Sequence, residues 1–118
     1  AQRQADVAAN QSLTQTFTKE ELMTIGEEAY VARCAACHQA NGKGLPPMFP
    51  GLAGSEIAIG PVNTHIDVVV NGINAMPAFG NLLSPKELAA IITYERNAWG
   101  NTPTDGVSVV QPKEITEQ

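Results

Sequence analysis

Two cysteines and a histidine lie within five consecutive residues of this chain, in the stretch Cys34, Ala35, Ala36, Cys37 and His38. The 118-residue chain contains only two cysteines and two histidines. Thiolates and imidazoles bind metals, paired thiols form disulfides or exchange electrons, and the C-x-x-C-H pattern attaches haem. The spacing therefore admits four kinds of chemistry.

Three of these leave part of the motif unexplained. A thioredoxin-like redox pair requires a βαβ setting, whereas these cysteines follow a helical pattern and precede a loop. A structural zinc site needs four ligands, and beyond Cys34, Cys37 and His38 the chain offers only His65. A structural disulfide gives no role to His38.

Covalent haem attachment uses all three residues. The two thiols form thioethers with the haem vinyl groups, and the histidine that follows ligates the iron from one face. The small side chains of Ala35 and Ala36 allow the ring to lie close to the chain. We therefore predict one covalently attached haem c with its iron, bound through Cys34, Cys37 and His38.

The second axial ligand is expected to be a methionine, because an iron held on both faces reorganises little during electron transfer. Met76 is favoured, since its small neighbours allow close approach and Pro77 stiffens the backbone. Met48, in a proline-rich loop, is the alternative. Met23 lies in a helical pattern and is predicted to be a core thioether. His65 lies near a helix start and is expected to be a surface or capping residue.

The composition is typical of one small domain whose core is completed by a prosthetic group. Hydrophobic residues make up 43% of the chain but aromatic residues only 5%. The net charge of −5, with seven scattered Lys and Arg residues, argues against nucleic acid as a partner. No apolar run reaches the roughly 20 residues that cross a bilayer, so we expect no membrane contact by this fragment itself. The N-terminus lacks a secretion signal and an initiator methionine, so a processed or excised piece is expected.

The elements that position the motif begin after a polar segment. Residues 1–17 are rich in Ala and Gln and are predicted to be a linker or N-terminal extension, with the domain spanning residues 18–118. Thr18 and Glu21 predict a capping box and a helix start. Gly26 on that helix leaves room for another backbone. Residues 39–61 are predicted to be an irregular loop, because they contain many glycines and prolines.

Two further helices are predicted, which makes the chain mostly helical. One starts at Thr64 and stops at Gly72, although its valine run also permits a strand. The other starts with the capping box of Ser84 and Glu87. Its apolar face is predicted to extend to Trp99, and the residues beyond it form a turn and an extended or frayed tail. The residues of that face are Leu88, Ile91, Ile92 and Trp99.

The order of residues resembles that of class I cytochromes c. In that family a glycine on the first helix is followed by an aromatic residue four positions later and by the first cysteine after another four, as in Gly26, Tyr30 and Cys34. The C-terminal helix, here containing residues 91–94, crosses the first helix at that glycine. The resemblance implies an all-α class I cytochrome c fold, with about three main helices and long loops around one covalently bound haem.

The same resemblance implies further site residues. The carbonyl of a proline twelve residues after the axial histidine accepts the ring N–H, and a leucine follows two residues later. Pro50 and Leu52 match, with Pro46 and Pro47 as neighbouring alternatives. The family also places its methionine ligand before the C-terminal helix, as Met76 is placed.

A narrower resemblance is carried by the segments AAIITYERNAWGN and VVQP, among others. These are similar to the cytochrome c domain fused to subunit II of some bacterial haem-copper cytochrome c oxidases. That resemblance implies an electron-transfer domain, not itself an enzyme, tethered through an upstream membrane-anchored copper domain on the periplasmic face. It implies an external donor, an upstream cytochrome or quinol-oxidising complex, and the copper centre as acceptor. The pair Met76-Pro77 resembles soluble cytochromes equally well.

Two alternatives stay open. One is a freestanding periplasmic cytochrome c that diffuses between partners, and the other is a gas sensor or peroxidase-like catalyst with an open sixth position. In the carrier roles, electrons are expected to pass an exposed ring edge bordered by apolar residues. The predicted border consists of Ala35, Ala36, Leu45, Pro46, Met48 and Phe79.

Overall fold

The structure is a computed structural model that describes residues 15–116. Within this range the chain forms helices joined by loops, with isolated β-bridges but no strand, which confirms the all-α class. The α-helices are α1 (Lys19–Arg33), α2 (Ala35–His38), α3 (Glu56–Ile59), α4 (Val62–Asn71), α5 (Pro85–Asn97) and α6 (Pro112–Thr116), and a 3₁₀ turn spans Phe79–Asn81. The predicted linker lies mostly outside the described residues, and its boundary stays a prediction.

Both predicted capping boxes are present. The Glu21 amide donates to Thr18 Oγ1 at 3.1 Å, and the Thr18 amide donates to Glu21 Oε1 at 2.9 Å. Ser84 and Glu87 exchange the same two bonds at the start of α5. Each box satisfies N–H groups that have no partner within the helix, and such a cap contributes about 1 kcal/mol.

Helices α1 and α5 cross at Gly26, as predicted. A Cβ added at this residue would lie 2.1 Å from the carbonyl oxygen of Ala90 and 2.8 Å from Cβ of Tyr94. Only glycine therefore allows the two backbones to approach this closely. The crossing forms the centre of the core, which is built from Leu22, Tyr30, Leu88, Ala89, Ile91 and Ile92.

The predicted middle helix is α4, so the valine run within it is helical and not a strand. It begins at Val62 instead of Thr64, because Pro61 takes the N-cap position with an extended ψ of 129°. Gly72, with φ of +76°, ends it as predicted. The predicted loop of residues 39–61 contains one short helix, α3, which Ser55 caps with its hydroxyl.

The prediction that Trp99 continues the face of α5 is wrong. The helix ends at Asn97, and Trp99 adopts a left-handed φ of +55°. Its indole N–H donates to the carbonyl of Ala40 at 2.9 Å, and its ring covers Gly42. The turn therefore directs the tryptophan onto the loop that follows the haem motif.

The tail was predicted to be extended or frayed; its residues 107–111 lie outside any helix, but the tail is not frayed. Val110, Pro112 and Ile115 are buried, and the Val110 amide donates to Thr93 Oγ1 at 3.0 Å. The tail returns along α5 and ends in α6, because α5 carries buried polar groups that need partners. The amide group of Gln111 exchanges two hydrogen bonds with the backbone of residue 17, both at 2.9 Å.

Asp105 in this tail neutralises a buried cation. The Arg96 guanidinium is fully buried and donates to Asp105 Oδ1 at 2.6 Å. Burial by itself raises the pKa of Asp105, but hydrogen bonds from the amides of Val107 and Val62, together with Arg96, lower it below its usual range. A carboxyl with a depressed folded pKa stabilises the fold above its unfolded pKa of about 3.9 and loses that contribution as pH falls.

We expect Asp105→Asn to destabilise the protein by about 1–3 kcal/mol at neutral pH, because it removes the carboxylate from a buried guanidinium. Urea unfolding from neutral pH down to about pH 2 measures this effect, because the contribution of Asp105 is lost as pH falls from its unfolded pKa through its lower folded pKa. The variant should lose less stability on acidification than the wild type does. An exposed control on α1, Glu28→Gln, should change little. Equal stability of wild type and Asp105→Asn at neutral pH would exclude the role assigned to this ion pair.

Candidate functional site

A cavity of about 400 Å³ lies beside the crossing of α1 and α5. The predicted residues Cys34, Cys37, His38, Pro50 and Met76 all contribute to its wall. The rest of the wall is largely apolar and comes from α4, α5 and the loops around residues 47–49 and 73–79. Its main apolar members are Phe49, Val69, Ile73, Phe79 and Ile91. The fold thus brings residues from distant parts of the chain to one pocket.

The end of α1 and the short helix α2 position the two thiols. Cys34 links them, and its carbonyl accepts the amides of Cys37 at 3.2 Å and His38 at 3.0 Å. Cys34 is buried and Cys37 is exposed, and no disulfide joins them. Burial, with smaller contributions from the charges of Glu95 and Cys37, raises the pKa of the Cys34 thiol to about 12. The described residues hold no group of three side chains suited to zinc.

His38 is oriented by a backbone carbonyl. Its Nδ1 lies 2.8 Å from the carbonyl oxygen of Pro50, the pairing that the family resemblance implied. When Nδ1–H donates to this carbonyl, the lone pair of Nε2 stays available as a metal ligand. Gly44 allows the loop to close beneath His38: its amide donates to the His38 carbonyl at 2.9 Å, and its φ of +64° suits glycine. Leu52 packs against the core and is not part of the cavity wall.

The methionines differ in exposure. Met76 is half-buried in a tight turn, where it exchanges backbone hydrogen bonds with Ile73 at 2.9 and 3.3 Å. Met48 also contributes to the cavity wall, but 76% of its surface is exposed. Met23 is half-buried on α1 and lies outside the wall. The assignment of Met76 as the second ligand stays a prediction.

One wall residue, Glu95, was not predicted. Its carboxylate is buried and accepts a hydrogen bond from His65 Nε2 at 2.8 Å. The expectation that His65 lies at the surface is wrong, because only 2% of it is exposed. A sequence signal was available: Glu95 stands four residues after Ile91 and therefore lies on the buried face of the same helix.

The side chains of this pocket fit the cofactor predicted from the motif. Haem presents large apolar faces, and the wall is mostly apolar. Two thiols at the C-x-x-C spacing can attach haem, and an oriented imidazole together with one methionine thioether can ligate its iron. No membrane-spanning helix is found among the described residues, since none is long and apolar enough.

Comparisons with known proteins agree with this fit. The family model described as cytochrome c oxidase, cbb3-type, subunit III matches residues 21–94. The cytochrome c subunit of an alcohol dehydrogenase (quinone) from Gluconobacter oxydans (strain 621H) is 38% identical over 95 residues, covering 70% of this chain and 20% of that protein. The chain thus spans about a fifth of the length of this relative.

Shorter relatives are covered more fully. Cytochrome c-552 of Thermus thermophilus is 34% identical over 86 residues, covering 59% of this chain and 65% of the relative. Cytochrome c6 of Gracilaria tenuistipitata var. liui is 32% identical over 74 residues, covering 61% of this chain and 68% of the relative. The region matched by the family model begins before Cys34, ends at Tyr94 and so includes the C-x-x-C-H motif.

Proposed function

Because this chain belongs to the class I cytochrome c family and therefore carries covalently bound haem c, we propose that Cys34, Cys37, His38 and Met76 hold that haem for single-electron transfer. The cofactor supplies an iron that alternates between the ferrous and ferric states. The observation that carries the proposal is that all four side chains contribute to one mostly apolar cavity.

Each residue has a distinct task in this proposal. Cys34 and Cys37 anchor the cofactor at the start of the loop, and His38 presents Nε2 because Pro50 holds Nδ1. Met76, in the turn after α4, would supply the second iron ligand. Two protein ligands would leave the iron no free coordination position for a substrate, so in this proposal the domain would act as a carrier and not as a catalyst.

For the partners, we propose the role of a cytochrome c domain in subunit II of a bacterial cytochrome c oxidase. The segments AAIITYERNAWGN and VVQP support this proposal by their resemblance to such domains. In this role the domain accepts electrons from an upstream cytochrome or quinol-oxidising complex and passes them to the copper centre. It lies at the periplasmic face, tethered by residues 1–17 to a membrane-anchored domain.

Apolar side chains suit the contact with these partners. Leu45 and Met48 expose 54% and 76% of their surface. Of the other residues in the predicted border, Ala36 and Pro46 are exposed, while Ala35 and Phe79 are half-buried. Small apolar patches support brief encounters, which a carrier needs in order to release its partner.

A freestanding periplasmic carrier is the second candidate. It is favoured by the similarity to cytochromes c-552 and c6, of which the chain covers about two thirds. The names of other relatives describe cytochrome c subunits of alcohol and gluconate dehydrogenases, which supports a role within a larger redox complex.

One experiment separates these roles. Membrane and soluble fractions of the source cells are run on a denaturing gel, stained for haem and probed with an antibody to this domain. A stained membrane band far heavier than 12.5 kDa is expected for a fused oxidase subunit. A stained soluble band near that mass supports the diffusible carrier. An antibody-positive band without stain contradicts covalent attachment, and replacing both cysteines by serine provides the unstained control.

A further inference from the structure

Glu95 is a carboxylate in the wall of the proposed haem cavity, and only 3% of it is exposed. A buried charge is costly unless neighbouring groups compensate it. The groups around Glu95 are Tyr30 from α1, Cys34 just after α1, and His65 from α4, which in turn contacts Arg96 from α5. Whether Glu95 carries a charge depends on what these groups donate to it.

The hydrogen-bond directions assign a neutral His65 that donates to Glu95. His65 Nδ1 lies 3.5 Å from NH1 of Arg96, and a guanidinium only donates, so Nδ1 is the acceptor. The ring proton therefore lies on Nε2, which donates to Glu95 Oε1 at 2.8 Å. A second proton on His65 would face the Arg96 cation, so this arrangement favours the neutral ring.

Arg96, the cation nearest to Glu95 and His65, is bonded to other groups. Arg96 donates to Asp105 Oδ1 at 2.6 Å and to the carbonyls of Val107 at 2.7 Å and Ala58 at 3.3 Å. Asp105 thus balances its charge and leaves Glu95 bonded to a neutral ring. Arg33 also contributes to the cavity wall, but it is exposed, so solvent and salt screen its charge.

We propose that Glu95 is a tuning residue that lowers the reduction potential of the haem iron by placing one uncompensated negative charge in the cavity wall, with His65 holding its carboxylate in place. A negative charge in a low-dielectric site stabilises the ferric over the ferrous iron, because the ferric state carries one more positive charge. This inference rests on the proposed function, since it assumes that the cavity holds the haem.

The test is a redox titration of the haem-loaded protein, followed by its visible absorption. Glu95→Gln removes the charge and keeps a hydrogen-bonding group of similar size. We expect it to shift the ferric-to-ferrous ratio at a fixed applied potential about tenfold toward ferrous, which for a one-electron couple is a rise of about 59 mV. Glu95→Asp keeps the charge and should restore most of the wild-type potential.

The matched control is Glu28→Gln, which makes the same change in net charge at an exposed position of α1. It should leave the potential nearly unchanged, because water and salt screen a surface charge. An unchanged potential in Glu95→Gln, or an equal shift in Glu28→Gln, would overturn the proposal. Visible spectra of each variant report iron ligation independently, so an error in the proposed ligands is distinguishable from an error in the role of Glu95.

A measurement on the wild type covers the case in which Glu95→Gln does not fold. NMR of the ferrous protein at neutral pH should show His65 protonated at Nε2 only and an ionised carboxyl group on Glu95. A protonated Glu95, or a doubly protonated His65, would overturn the proposal because no uncompensated charge would then remain in the wall.

Discussion

Met76→Ala is expected to abolish the sulfur-to-iron charge-transfer band in the visible spectrum and to lower the reduction potential. Thioether ligation raises haem potentials, so its loss favours the ferric state. Axial ligands set haem potentials over a range of about 0.8 V, and we expect a fall on the order of 0.1 V or more. Absorption spectroscopy of the oxidised protein and a redox titration measure both effects.

The matched control is Met48→Ala, which removes the other methionine of the same cavity wall. Met48 is 76% exposed, whereas Met76 is half-buried in a hydrogen-bonded turn. The control should therefore retain the band and most of the potential. The reverse result, with the band lost only in Met48→Ala, would transfer the ligand role to Met48. A wild type that lacks the band would support the gas sensor or peroxidase-like alternative with an open sixth position.

Gly26→Val is expected to destabilise the fold by about 3 kcal/mol or more, because a side chain here meets another backbone instead of a flexible neighbour. The added Cβ would lie 2.1 Å from the Ala90 carbonyl oxygen. Relief requires α1 and α5 to separate, which opens the core around Tyr30 and Ile91 and also moves Cys34. Urea unfolding and haem content per chain measure the loss.

Gly26→Ala separates this clash from helix propensity. Alanine improves an isolated helix by about 1 kcal/mol relative to glycine, so a gain in stability would show that the crossing accommodates a side chain. We expect a net loss instead, because the clash outweighs the propensity. Glu28→Ala, at an exposed position of the same helix, should stay within about 0.5 kcal/mol of the wild type.

Features that depend on a few neighbouring residues were predictable from the sequence. The capping boxes at Thr18 and Ser84 require only residues three apart, and the structure contains both. Gly26 was identified by its spacing from Tyr30 and Cys34, and it lies at the helix crossing. The C-x-x-C-H motif specifies its cofactor chemistry within five residues, because the two thiols and the imidazole must reach one ring.

Features that depend on contacts between distant residues were decided only by the tertiary structure. His65 has no sequence signal for burial, since its partners Glu95 and Arg96 lie about thirty residues away and reach it only after α4 packs near α5. The tail was predicted to be extended or frayed because its own residues do not show what they cover. Its order comes from Asp105 and Val110, which satisfy Arg96 and Thr93 on α5.

The sequence by itself therefore determined the cofactor, the helical class and the starts of α1 and α5, because local spacing and backbone capping set these. The tertiary structure alone decided which polar groups are buried and what compensates them. Burial of a charge is a property of the surrounding surfaces, and these come together only when the helices pack. His65 is the clearest case, since its partners Glu95 and Arg96 lie on another helix.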